Sequence, residues 1–170
     1  DGDNTILGGL GRDVISVKNG VDTILGDNGV VELDAKGDKF AQVKTLSRAS
    51  AGGTITDLGG DDQISMLNGD KIVLGGDGVD TIDLLGAGNH TVLGDNGIVT
   101  YVAMGLTGAG RAQKFETTDT LLNSSTGGTA GGNSTTLGDV ITVTGDGDNT
   151  ILGGLGRDVI SVKNGVDTIL

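Results

Sequence analysis

The apolar positions of this chain follow two different rhythms. Through 57–93 and 135–170 a short aliphatic triplet returns about every nine residues, each time after a turn rich in Gly and Asp. The large aliphatic positions are Ile64, Ile72, Ile82 and Val92 in the first stretch, and Ile141, Ile151, Ile160 and Ile169 in the second. A triplet bounded by glycines reads as a very short strand whose central residue points inward while its neighbours point outward. Between these stretches the rhythm shortens to two. VVELD and FAQVKTL flank AKGD, which predicts a β-hairpin over 30–46, and IVTYVA and AQKFETT flank GLTGAGR, which predicts another over 98–118. Phe40, Tyr101 and Phe115 fall in these hairpins, so a patch covering one face of the short strands is expected; contact between neighbouring chains is the alternative. The run NSSTGGTAGGNSTT at 123–136 predicts an exposed, flexible loop.

The chain also repeats itself at a longer scale. Residues 1–25 recur unchanged at 146–170, an offset of 145 residues, which predicts a longer tandem array of which this is one period plus the start of the next. GDNG occurs at 26–29 and again at 94–97, after TIL and TVL, and divides the period into two related halves. At the finest scale GGLGRDVIS (8–16) and GGDGVDTID (75–83) fit G-G-x-G-x-D-x-U-x, with U a large aliphatic, at every defined position. VKNGVDTIL (17–25) and DLGGDDQIS (57–65) keep its second half. The expected organisation is the end of a repeat block at 1–25, a hairpin insertion at 26–56, a repeat block at 57–93, a hairpin insertion with its loop at 94–134, and a repeat block at 135–170.

This nonapeptide resembles the hemolysin-type calcium-binding repeats, known as RTX repeats. The resemblance covers roughly half the chain. It implies an all-β fold, a parallel β-roll or β-solenoid with calcium-binding Gly-Asp turns, here interrupted by hairpin insertions. One nonapeptide then crosses the solenoid once, so turn n stacks on turn n+2 at about 4.8 Å. Stacked turns gather carboxylate and carbonyl oxygens around a common gap, the hard-oxygen environment calcium (Ca2+) prefers.

The metal-ligand candidates are Asp13, Asp22, Asp62, Asp80, Asp139, Asp158 and Asp167, with Asp70 and Asn149 as the weaker positions. The n/n+2 rule places Asp62 with Asp80 on one edge, and Asp70 with His90 on the other. In the second block it pairs Asp139 with Asp158, and Asn149 with Asp167; the 62/80 and 139/158 pairs are expected to be the tighter sites. Asp27 and Asp95, within GDNG, read as turn residues that end each block. His90 stands where the repeat has Asp, a weakened calcium position, since one His without Cys or a second His does not make a zinc site.

Composition narrows the field further. Of 170 residues 34 are Gly, and aromatic residues are only 2 %. Ordering so much glycine is entropically costly, and the aliphatic core is thin, so folding coupled to calcium is expected. The net charge of −12 repels nucleic-acid phosphates and suits divalent cations. No apolar run approaches 18 residues, so membrane insertion is not expected. The single His lies in a repeat turn and offers no catalytic group, so an enzyme is not expected. The resemblance implies a bacterial, extracellular or cell-surface setting reached through type I secretion. The expected role is a calcium-stabilised structural repeat of a long protein: a stalk, adhesin spacer or filament in contact with neighbouring copies of itself, with lateral self-association as a possible mode. The competing role is a calcium-binding module appended to a secreted enzyme or toxin.

Overall fold

The structure is a computed structural model and describes residues 1–37, 40–46, 59–102, 111–118 and 138–170. The loop expected at 123–136 lies outside the described residues. In chain order the strands are β1 (Thr5–Leu7), β2 (Val14–Val17), β3 (Asp22–Leu25), β4 (Gly29–Leu33), β5 (Phe40–Thr45), β6 (Gln63–Met66), β7 (Lys71–Leu74) and β8 (Thr81–Leu84). They continue with β9 (His90–Leu93), β10 (Gly97–Val102), β11 (Arg111–Thr117), β12 (Val140–Val143), β13 (Thr150–Leu152), β14 (Val159–Val162) and β15 (Thr168–Ile169).

The short strands alternate between two parallel sheets. Sheet A has the order β1-β3-β7-β9-β13-β15, and sheet B the order β2-β6-β8-β12-β14. Each strand therefore hands the chain to the opposite sheet, and pairing joins alternate strands, as the n/n+2 rule requires. The two hairpin insertions do not break this stacking. β3 pairs with β7 and β2 with β6 across the first insertion, while β9 pairs with β13 and β8 with β12 across the second. The expected blocks thus form one uninterrupted pair of sheets.

Register explains the sequence period. In sheet B, Ile15, Ile64, Ile82, Ile141 and Ile160 align, with Val17, Met66, Leu84, Val143 and Val162 as a second inward column. In sheet A the inward column is Ile6, Ile24, Val73, Val92 and Ile151, with Ile169 at its end. These columns face each other in a single aliphatic core without one aromatic ring. One expectation is corrected: the inward residue of β7 is Val73, not Ile72. Val73 is fully buried opposite Ile24 and Val92, whereas Ile72 aligns with Thr23 and Thr91 on the outer face. The nine-residue step from Ile64 through Val73 to Ile82 is kept. Ile72 is tolerated outside because apolar side chains cover that face.

The cover is sheet C, the antiparallel order β11-β10-β5-β4 built from the two hairpins. β4 with β5 and β10 with β11 occupy the expected spans, and β5 joins β10. The Leu that follows each inward residue of sheet A points outward. Leu25, Leu74, Leu93 and Leu152 pack there against Val43 and Val99, with Phe40, Tyr101 and Phe115 at the margin. Phe40 and Tyr101 stack in a tilted pair with centroids 6.0 Å apart. Each fully buried aliphatic contributes about 1.5–3 kcal/mol relative to exposure, so this second apolar layer compensates for a thin central one.

Candidate metal centre

The sequence makes every turn from sheet A to sheet B begin with Gly, and enter its strand through Asp. Gly8, Gly26, Gly75, Gly94 and Gly153 open these turns; Asp13, Asp62, Asp80, Asp139 and Asp158 close them. The parallel register of sheet B stacks those five Asp residues into one column, including across both insertions.

The column is knitted by a directional ladder. Asp13 N donates to Asp62 Oδ1 at 2.8 Å, Asp62 N to Asp80 Oδ1 at 2.8 Å, and Asp80 N to Asp139 Oδ1 at 2.8 Å. Asp139 N donates to Asp158 Oδ1 at 3.0 Å. One oxygen of each accepting carboxylate is thereby used. The other oxygen, Oδ2, is buried without a hydrogen-bond partner in Asp62 and Asp80, as is Oδ2 of Asp13 at the head of the ladder. An unpaired buried acceptor costs about 1–3 kcal/mol, and more when charged. Burial, reinforced by the neighbouring carboxylates, pushes the Asp80 carboxyl up to about 10 and the Asp62 carboxyl up to about 6.

These oxygens face main-chain carbonyls at places where only glycine fits. A methyl group on Gly26 would lie 2.3 Å from Asp62 Oδ2 and 2.4 Å from Gly75 O. On Gly75 it would lie 2.3 Å from Asp80 Oδ2 and 2.1 Å from Gly94 O. Each turn thus supplies one carboxylate oxygen and stacked carbonyl oxygens to a cradle that carries no side chain. Carboxylate and carbonyl oxygens are the donors calcium takes, six to eight at about 2.3–2.6 Å, so the residues present fit that ion. A cation there would supply the charge that the stacked carboxylates lack. Among the described residues no three His, Cys, Asp or Glu side chains converge on a single point; the donors here are one carboxylate per turn and the backbone. Gly75→Ala is expected to remove calcium binding at this turn and to destabilise the fold by roughly 1–3 kcal/mol, the range for forced overpacking. Calorimetric calcium titration and urea unfolding would measure both.

Two carboxylates that the sequence assigned to block ends belong to this edge. Asp27 and Asp95 replace the second Gly of the nonapeptide turn and are buried. Asp27 Oδ2 accepts from Asp77 N at 2.6 Å while its Oδ1 is buried without a partner, and Asp95 Oδ2 accepts from Leu155 N. Burial pushes the Asp27 carboxyl up to about 8, and the charges of Asp62 and Asp77 add to the rise. The available signal was GDNG standing where neighbouring copies read GG.

The opposite edge is chemically different. Its column reads Asn4, Asp22, Lys71, His90, Asn149 and Asp167. Lys71 is fully buried, and its Nζ lies 2.6 Å from Asp22 Oδ2, 2.6 Å from Gly20 O and 2.9 Å from Asn68 O. Asp22 Oδ1 accepts from Asn4 N and Asn4 Nδ2 at 3.0 and 2.7 Å, so protein donors engage both oxygens of this candidate. Burial alone would raise the Asp22 carboxyl; the Lys71 and Asn4 donors outweigh it and hold it below the usual range. Asp70 lies one residue before the column, exposed, and accepts from Asn89 N at 2.9 Å as a turn cap. His90, not Asp70, shares the column with Lys71, and burial holds its imidazole below the usual pKa. Asn149 Oδ1 accepts from His90 N at 3.1 Å, and Asp167 Oδ1 from Asn149 N at 3.0 Å.

Compared with protein-family models, curated proteins and solved structures, the chain finds no match.

Proposed function

We propose that this chain is a calcium-stabilised structural repeat of a long secreted or cell-surface protein, a stalk, adhesin spacer or filament in the manner of RTX β-rolls. The observation that carries the reading is the column of in-register Asp residues whose Oδ2 atoms, at Asp13, Asp62 and Asp80, are buried beside glycine carbonyls without a donor. A hard divalent cation is the group that satisfies such a set. Asp139 and Asp158 continue the column, and Asp27 adds a carboxylate beside Asp62. On this reading Asp22 and Lys71 close one turn of the other edge without metal, and Asp167 and Asn149 are secondary positions there.

The tandem identity of 1–25 with 146–170 favours a spacer built of many units over a single appended module. Calcium would act as a fold condition: millimolar levels outside a cell stabilise the stack, and chelation dismantles it. Circular dichroism with calcium titration and EGTA reversal tests this. The expected result is β signal that grows with calcium and is lost in EGTA; a signal indifferent to EGTA would end the proposal.

A further inference from the structure

We propose that the outer edge of β11 is the docking site for strand β4 of a following copy of this unit, so that sheet C continues from one unit to the next. The occupant is a second copy of residues 26–46, launched from the copy of 1–25 that ends at Leu170. The inference rests on the tandem-array part of the proposed function and is independent of calcium.

The two hairpins are structural equivalents. Gly29 aligns with Thr45, Val30 with Lys44 and Val31 with Val43; in the second hairpin Gly97 aligns with Thr117, Ile98 with Glu116 and Val99 with Phe115. They join through β5 and β10, where Lys44, Val43 and Gln42 align with Ile98, Val99 and Thr100. Gly97 N also donates to Thr45 Oγ1 at 2.8 Å.

The spacing of the launch points makes this joint repeatable. The first hairpin leaves sheet A after β3, its second strand, and the other leaves after β9, its fourth. The sixth is β15, which belongs to the copy of the segment that carries β3. Launches therefore recur every two strands, about 9.6 Å at a spacing near 4.8 Å, and each hairpin adds two strands to sheet C at the same spacing. The two layers stay in step. A hairpin launched after β15 meets β11 as β10 meets β5, which aligns Glu116 with Val30 of the copy, Phe115 with its Val31, and Lys114 with its Glu32. That register places opposite charges across the joint, an arrangement that stabilises antiparallel pairs. Thr117 takes the place of Thr45 as acceptor for the copy's Gly29 N.

Burial differs between joined and free positions in the way this requires. Val43 and Val99, at the existing joint, are fully buried, and Thr45 is 5 % exposed. Their equivalents Phe115 and Val31 are only half-buried, and Thr117 is exposed. Among the described residues β11 carries no strand on its outer side, and an edge strand over apolar surface is a template for another strand.

Hydrogen–deuterium exchange tests the proposal on two chains in calcium: residues 1–170, and the same chain lengthened after Leu170 by a second copy of 26–46. The outward amides of 111–117 are expected to gain protection of roughly tenfold or more in the lengthened chain. A Val31→Pro change in the added copy, which removes a ladder donor, is expected to return them to the behaviour of the shorter chain. Unchanged exchange at 111–117 on lengthening, or protection that survives the proline, would overturn the docking. The added copy is supplied directly, so such a failure would count against the strand joint alone. Failure of the array reading would instead be a parent chain with no following copy.

Discussion

In chelator, the stability of the chain is expected to fall as pH rises from 4 to 8; in millimolar calcium it is expected to rise over the same range. The sign follows from Asp27, Asp62 and Asp80, whose carboxyls stand at about 8, 6 and 10 against an ordinary 3.8. Their folded pKa values are raised, so between these limits the folded chain binds more protons than the unfolded one. The stability they contribute is complete below the unfolded value and is lost as pH climbs through the folded ones. His90 opposes this below its ordinary 6.5, because burial makes the folded chain refuse a proton that the unfolded chain accepts. The depressed Asp22 carboxyl acts only at more acid pH. Three carboxylates against one imidazole leave a net loss of stability as pH rises through this range. On the proposed reading calcium would require the ionised carboxylates and so reverse the slope. Urea midpoints at several pH values, with and without EGTA, measure the effect. Calcium binding near pH 6 should also release protons, seen by calorimetry in buffers of different ionisation enthalpy. A chelated chain that is more stable at pH 8 than at pH 5 would remove the electrostatic account.

The second large effect is expected at Lys71. Lys71→Met leaves the Asp22 carboxylate buried without its cation, and removal of one partner from a buried pair costs about 3–5 kcal/mol. Because the ammonium is covalently part of the chain, added calcium should restore little of that loss if the site stays closed to the ion. Adding Asp22→Asn to Lys71→Met should recover much of it, since the stranded charge is then gone. Lys71→Asp is the informative converse. It recreates the residue that the nonapeptide places at this column, so one further calcium equivalent should appear in a titration. Thermal unfolding of the single and double variants, with calcium stoichiometry, would check the set. Equal stability of Lys71→Met and the parent chain would show that the pair contributes nothing.

Much of this architecture was legible in the sequence because its period is a physical step. Nine residues make one crossing, so Ile64 had to meet Ile82, Ile141 had to meet Ile160, and Asp62 had to meet Asp80; that the two isoleucine pairs join in one column across the second insertion is visible only in the sheet register. Both hairpins were visible as alternation around Gly-containing turns. Ile72 misled because local pattern cannot tell an inward aliphatic from an outward one when the outer face is itself covered, here by sheet C. Lys71 was hidden for a related reason. The nearby Asp70 looked like the expected carboxylate, and only the parallel register with Asp22 and His90 shows which residue enters the column. Asp27 and Asp95 were read as punctuation, since their neighbours in space, Asp77 and Leu155, lie 50 and 60 residues away in the chain.

The ladder of the acidic column joins residues 18, 19, 49 or 59 apart, and its N–H to carboxylate bonds measure 2.8 Å at separations of 18, 49 and 59 and 3.0 Å at 19. The spine therefore does not register how much chain departs between one turn and the next. Closing a flexible loop grows dearer only slowly, by about 0.6 kcal/mol for each doubling of length. Both excursions depart where the polypeptide passes from sheet A to sheet B, so the reverse passage keeps its short connections. Such a scaffold can exchange or enlarge its outer ornament while pitch and alignment stay fixed. One edge of the stack leaves room for insertions, and the other keeps a fixed step.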